Sequence, residues 1–450
     1  MITRSSTRYV SVNQTGIDNK REGLAVKILI LTYGTRGDVQ PFLALGVALK
    51  NRGDDVSLCT STRFEPFVTD HGLNFCPVPD DLLAVLDTRE GRDMLENTHS
   101  ILDAIRNNLR FARRIGPMLR DQLEAGWRAG QETKPDLVIF HPKGAAGPLV
   151  AEAFGVPAVV GLPFPMMVPT GDVPHIGFPN LPFGRRYNRA TYWLVNSMAA
   201  LALKGPLKKL RAKYDLPKAK VYDSLHLADG TQLPSMTAVS PHVVPEPNDW
   251  GPNHCMTGYW FLDHEADWTP SEVLQSFLQA GPPPVYIGFG SMAGKKPEQL
   301  AEIAVSALQK SGQRGLIATG WGGLKPSDLP ETILQIDHAP HDWLFPQMAC
   351  VVHHGGAGTT AAGLRAGVPS VITPFMGDQP YWADRVATLG VGPKGIPQKK
   401  LTTENLAEAI EHAVGSDAIK SAAAALGERI RSESGLATAL GFIENVMRVS

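Results

Sequence analysis

The chain has 450 residues, more than one hydrophobic core ordinarily supports, so two domains are expected. Hydrophobic residues make up 43% and charged residues 19%, a globular balance that argues against disorder, and a net charge of -1 offers no basic field to nucleic acid. Cys59, Cys76, Cys255 and Cys350 stand far apart with no Cys-x-x-Cys, which argues against a disulfide framework or zinc ribbon and fits a reducing, cytoplasmic setting.

Residues 1–25 read as a loose tail, polar and aperiodic, without the apolar core of a secretion signal. Being rich in Ser, Thr and Arg, the tail leaves an organelle-targeting role open. An apolar run at 26–31 exits into Thr32-Tyr33-Gly34-Thr35-Arg36-Gly37-Asp38, a strand ending in a glycine loop. From Pro41, Phe42, Leu43, Leu45, Val47 and Leu49 have helical spacing up to Arg52-Gly53, and a second strand starts at 56–59. This is the β–α–β unit of a parallel sheet. Residues 84–130 are mainly helical by pattern, and strands at 136–140 and 157–161 flank a small-residue helix ending at Gly155. Residues 161–235, crowded with prolines and aromatics, show no regular period. Such an insertion is either a substrate-binding region or a surface excursion. No apolar run reaches membrane-spanning length.

Pro245, Pro247, Pro252, Pro270 and Pro282-Pro283-Pro284 mark an interdomain linker over 245–284. Alternation then restarts, with strands at 285–289, 315–319, 332–336, 350–352 and 370–372 and a helix over 297–310. An Ala-rich helical stretch from 417 to 449 suits packing on either domain. The division is a tail (1–25), a first domain (26–244), a linker (245–284), a second domain (285–430) and a C-terminal helix (431–450). The fold class is α/β: two Rossmann-like, doubly wound domains, each with its ligand edge where strands end.

The most informative segment runs from His353 to Gln379. His353-His354-Gly355-Gly356-Ala357-Gly358-Thr359-Thr360 follows a buried strand and opens a helix. That geometry gathers free backbone N–H groups and the positive end of the helix dipole, a cradle for a diphosphate. Asp378 and Gln379 leave the next strand beside it, an acceptor and a donor suited to sugar hydroxyls. Other phosphate sites fail. There is no Gly-x-x-x-x-Gly-Lys-Ser/Thr, and Gly288-x-Gly290-x-x-Ala293 lacks the acidic residue a dinucleotide ribose needs at the end of the next strand. The hydrolase elbow Gly-x-Ser-x-Gly is missing at Ser291.

From about residue 26 onward the chain resembles family 1 glycosyltransferases of the two-domain GT-B architecture. The sterol glucosyltransferase-like branch is the nearest, with antibiotic glycosyltransferases as relatives. The resemblance rests on Gly34 to Pro41, His141-Pro142-Lys143, Gly288-Phe289-Gly290-Ser291-Met292, Pro340 to Pro346, and His353 to Pro380. It implies an acceptor domain in the N-terminal half and a donor domain in the C-terminal half, with a UDP-sugar such as UDP-glucose between them. No further cofactor and no metal are implied. By motif position, Ser291, His353 and the backbone of Gly355, Gly356, Ala357, Gly358, Thr359 and Thr360 hold the diphosphate. His338 and Ala339 lie against the base, and Asp378 and Gln379 bind the sugar. Plant relatives carry Trp at the position of His338 and a ribose-binding Glu at that of Ala361, so base and ribose contacts do not carry over there.

Transfer to an alcohol needs a base near the acceptor oxygen. Asp38 is the candidate, at a strand end where plant relatives place His, with partial burial expected to raise its pKa. Its plain alternative is an N-cap of the helix near Pro41. His141, with Lys143, ends a strand at the same edge and orients Asp38, touches the acceptor or is merely polar surface. The resemblance implies inversion. The leaving diphosphate is stabilised by the helix start rather than a metal. Phe164, Met166, Met167 and Phe178, with Trp193 and Met198, suit a broad apolar pocket for a hydrophobic acceptor as well as ordinary packing. Lys204, Lys208, Lys209, Arg211, Lys213, Lys218 and Lys220 suit peripheral contact with an anionic membrane or a solvated helix face. The expected function is glucose transfer from UDP-glucose to a sterol-like hydroxyl. Deoxysugar transfer to a polyketide or glycopeptide, and non-catalytic nucleotide-sugar binding, are the rivals.

Overall fold

Short runs of aliphatic residues, buried on both faces, build two all-parallel sheets. In the first, β1 (Lys27–Leu31), β2 (Asp55–Ser61), β3 (Asn74–Val78), β4 (Leu137–Phe140), β5 (Ala158–Leu162), β6 (Ser235–Thr237) and β7 (His254–Met256) lie in the order β3-β2-β1-β4-β5-β6-β7. In the second, β8 (Val285–Gly288), β9 (Gly315–Ala318), β10 (Ile333–Ile336), β11 (Cys350–His353) and β12 (Ser370–Ile372) lie in the order β10-β9-β8-β11-β12. The computed structural model describes residues 25–87, 101–165, 167–264, 268–290, 297–318 and 329–449. Both sheets reverse their strand order beside the first strand, between β1 and β4 and between β8 and β11. In open α/β sheets, ligands bind at such a switch point, outside the carboxyl ends of the strands.

Ile28, Ile30, Val39, Phe42, Leu45 and Leu58 fill one face of the first sheet, and Leu29, Leu31, Val138, Phe140 and Val160 the other. The second sheet buries Val285, Ile287, Leu300, Ala304, Leu308, Val352 and Ile410. A further apolar cluster joins the two halves. Val239, Val243, Met256 and Tyr259 pack with Ala361, Leu364, Ile372 and Trp382. Arg385 adds hydrogen bonds from Nε (3.0 Å) and Nη2 (2.5 Å) to the Val243 carbonyl. The segment 245–284 supplies the edge strand β7 and the helix Glu272–Gln279, whose Leu274 packs with Tyr286 and Leu344.

Three features depart from the sequence reading. The first helix starts at Arg36 rather than near Pro41, with Thr35 as N-cap. The stretch 161–235 contains a 30-residue helix, Gly184–Lys213. It was hidden because its apolar residues divide between two faces, and because Pro206 within it reads as a breaker. The C-terminal residues form two helices serving different halves. Ala423, Leu426 and Ile430 of Asp417–Ser432 join the cluster between the halves, while Ala439 and Ile443 of Gly435–Val449 are fully buried in the first domain's core. Among the described residues no helix is long and apolar enough to cross a membrane.

Candidate active site

The acidic centre sits at the carboxyl end of β1. Gly34, at φ +140°, lets the chain fold back so closely that a Cβ there would lie 2.1 Å from Asp38 Oδ2. Asp38 is thereby buried, and its two oxygens do different things. Oδ2 accepts from the Thr35 backbone N–H (2.8 Å) and hydroxyl (3.2 Å), closing the start of the Arg36–Arg52 helix. Oδ1 takes the Lys143 ammonium at 2.7 Å and lies 3.8 Å from His141 Nε2. The helix-capping role and the outward-facing carboxylate oxygen therefore coexist in one side chain.

His141 follows β4 and is 1% exposed, with Phe42 edge-on to its ring. The Lys143 backbone N–H donates to its Nδ1 at 3.0 Å. An accepting Nδ1 assigns the proton to Nε2, the nitrogen turned to Asp38. Burial pushes its pKa down to about 3, so at neutral pH the ring is uncharged. Nε2 has no hydrogen-bond partner among the described residues. His141 is thus a fixed neutral donor aimed at the carboxylate. Burial drives the Asp38 carboxyl upward, but the Lys143 charge and the hydrogen bonds outweigh it and hold the group below the usual carboxylate range. The expectation that burial would raise this pKa is corrected. It omitted the cation brought in from β4, more than a hundred residues away.

The glycine turn sits at the end of β11 in the second sheet. Gly355 adopts φ +88°, and a Cβ there would lie 2.6 Å from Ile372 Cγ2, so the turn demands glycine. Gly356 caps the helix Ala357–Ala366. The Thr360 N–H bonds the Gly356 carbonyl at 2.9 Å, so Ala357, Gly358 and Thr359 present the N–H groups left over at a helix start. Gly358 is exposed, and a Cβ on it would meet nothing within 4 Å, so the mouth of the turn is open. Thr360 turns inward, its hydroxyl donating to the Gly356 carbonyl at 3.0 Å. His353 repeats the His141 arrangement: fully buried, its Nδ1 accepts from the Gly355 N–H at 3.0 Å, and its Nε2 lacks a partner among the described residues. Burial holds its pKa well below the ordinary value.

Asp378 and Gln379 start the helix after β12. The Trp382 indole N–H donates to Asp378 Oδ2 at 2.7 Å. Burial raises the Asp378 pKa, with a smaller contribution in the same direction from the Asp38 charge. Gln379 is buried, and its Oε1 accepts from the Phe375 (2.7 Å) and Met376 (3.1 Å) N–H groups, leaving the amide nitrogen as donor. His338 is exposed, while Ala339 is buried beside Leu344 and Phe345. Burial disfavours protonation of His338 and His341, and the charge of Arg36, on the first turn of its helix, adds to it. Sequence reasoning missed this cation although it lies inside the Gly34 to Pro41 motif. It also missed Trp382, whose i+4 spacing from Asp378 was the available signal.

The remaining candidates divide. Ser291 and Met166 lie outside the described residues. Phe164 packs on the cluster joining the two halves, Met167 is buried in the first domain's core, and Phe178 is edge-on to His175. Trp193 and Met198 face outward from the Gly184–Lys213 helix, 70% and 57% exposed, and are removed from the pocket candidates.

Comparison with known proteins identifies the fold and the family. Residues 28–168 match the glycosyltransferase family 28 N-terminal domain, and residues 323–436 the erythromycin biosynthesis protein CIII-like C-terminal domain. Two sterol 3-beta-glucosyltransferases of Arabidopsis thaliana are 38% and 37% identical over 92% of this chain, which covers 64% and 67% of their lengths. One from Emericella nidulans is 37% identical over 95% of this chain. The chain spans about two thirds of the plant relatives and 30% of that fungal one. Among solved structures, the glycotransferase of kitacinnamycin superposes with a TM-score of 0.68 at 19% identity, covering 94% of this chain and 99% of that one. VinC in complex with dTDP gives 0.67 at 20% identity, covering 94% and 100%. The fold is GT-B, and the chain belongs to the glycosyltransferase family that includes the sterol 3-beta-glucosyltransferases.

Proposed function

We propose that the chain transfers glucose from UDP-glucose, with inversion, to a hydroxyl of a sterol or similar hydrophobic alcohol. The observation that carries this reading is the buried Asp38 carboxylate at the end of β1, its Oδ1 bound by the Lys143 ammonium at 2.7 Å and facing His141 Nε2 at 3.8 Å. The donor diphosphate lies against the N–H groups of Ala357, Gly358 and Thr359, where the helix start offsets the charge that grows as the anomeric bond breaks. Asp378 and the Gln379 amide hold the sugar hydroxyls. The acceptor hydroxyl approaches Asp38 Oδ1. It becomes acidic as its oxygen bonds the anomeric carbon, so a low-pKa carboxylate suffices to take the proton. Thr35 and Lys143 hold that carboxylate in place, with the neutral His141 Nε2–H 3.8 Å away, and the chain's own charges support departure without a metal. The sterol preference is supported by identity to the plant and fungal relatives rather than by the fold.

The test is incubation of purified protein with UDP-glucose and a panel of sterols, flavonoids and macrolides, with and without EDTA, reading glycosides by mass. Sterol glycoside formed equally in EDTA, and lost in Asp38→Ala, is the expected result. Product only with macrolides and deoxysugar donors would favour natural-product glycosylation instead. Donor binding without any product would leave a nucleotide-sugar binding protein.

A further inference from the structure

Of the nine large hydrophobic side chains exposed among the described residues, seven fall between positions 173 and 201: Val173, Leu181, Phe183, Trp193, Leu194, Met198 and Leu201. Trp193, Leu194, Met198 and Leu201 follow one another at i, i+1, i+5 and i+8 along the Gly184–Lys213 helix. They form an outward stripe opposite the buried Tyr192 and Leu210. A patch of this kind on a folded chain marks an interaction surface. The same helix carries eight Lys and Arg and no Asp or Glu, in a chain whose net charge is -1. Arg185, Arg189, Arg211 and Lys213 are held by acidic partners. Arg186, Lys204, Lys208 and Lys209 are exposed and engage no acidic side chain among the described residues. On the helical wheel Arg186, Lys204 and Lys208 share the arc of the apolar stripe, at its two ends.

We infer that this face docks on an anionic lipid bilayer, with Trp193, Met198 and Leu201 entering the interface and the cations on the headgroups. A second copy of the chain would bring four cations, unpaired among the described residues, against four. A polyanion such as nucleic acid would meet the cations but leave the aromatic and aliphatic stripe in water. An anionic bilayer satisfies both chemistries at once, the pattern of an interfacial amphipathic helix. The docking surface stands on the helix alone. Its use in collecting a membrane-held acceptor rests on the function proposed above.

The test uses the full chain and sedimentation with vesicles of phosphatidylcholine alone or with about a third phosphatidylserine. Binding to the anionic vesicles that weakens with salt is expected. The triple variant Trp193→Ala, Met198→Ala, Leu201→Ala should lower the partition coefficient roughly tenfold or more. Lys204→Ser with Lys208→Ser should reduce the preference for phosphatidylserine. Unchanged thermal melting and unchanged UDP binding would show that both variants fold. Wild-type protein that ignores anionic vesicles, or a triple variant that binds like wild type, overturns the inference. So does a wild-type mass in solution of two chains that the triple variant reduces to one, since the face is then a self-interface. No step of this assay requires transfer, so a protein without glucosyltransferase activity that still binds vesicles would sink the function alone.

Discussion

Replacing Lys143 by Met keeps much of the side-chain length and removes the charge 2.7 Å from Asp38 Oδ1. Because the lysine is half-exposed, its attraction is screened. At the dielectric of water the pair is worth about 1.5 kcal/mol, which corresponds to roughly one pKa unit on Asp38. The sign follows from the direction of the shift. Lys143 lowers the Asp38 pKa, so in the native protein the base form is complete at any pH above a depressed value. Without the ammonium, burial is opposed chiefly by the Thr35 hydrogen bonds and the pKa climbs. The acid limb of kcat/KM against pH should therefore move upward by about one unit. Above pH ~7 the carboxylate stays ionised in both proteins, so kcat there should change much less than in Asp38→Asn, where a loss of about a hundredfold or more is expected. His141, with a pKa of about 3, is neutral near pH 7 and contributes no limb of its own there. An acid limb that stays put in Lys143→Met, or that moves downward, would refute the assignment of Asp38 as the base.

Gly358→Asp adds a carboxylate where the structure has room, so folding should be spared or improved by about 0.3–1 kcal/mol through the helix dipole, while UDP affinity measured by calorimetry falls at least tenfold. Trp382→Phe removes the hydrogen bond to Asp378 and should raise KM for UDP-glucose several-fold while leaving affinity for UDP alone nearly unchanged. Ile443→Ala opens a cavity in the first domain's core from the far end of the chain and should cost about 2–5 kcal/mol, read as a lower denaturation midpoint.

The strands and the glycine turn were legible because they depend on local order. Short aliphatic runs bounded by glycine and proline read as buried parallel strands, and a strand, a Gly-Gly turn and a helix in close succession (350–366) announce an anion site. Three strands of the first sheet were not legible: β6 and the edge strand β7 are three residues each, and the edge strand β3 carries Pro77, which is tolerated only because its strand has a neighbour on one side. The long Gly184–Lys213 helix escaped because a single-period test assumes that one face is apolar, and this helix has two. The balance at Asp38 lay beyond the sequence for a different reason. Burial and the Lys143 charge act in opposite directions, and only the distance between β1 and β4 side chains decides between them. The seat of the last helix, Gly435–Val449, likewise depends on contacts with residues some four hundred positions earlier, as in Arg52 to Glu444 at 3.2 Å.

A crystal structure of the full chain with UDP-glucose bound tests the centre of this account most directly. The diphosphate should rest on the N–H groups of Ala357, Gly358 and Thr359, with the glucose between Asp378 and Asp38 and its anomeric carbon open to the Asp38 side. A nucleotide bound elsewhere, or a sugar turned away from Asp38, would contradict it.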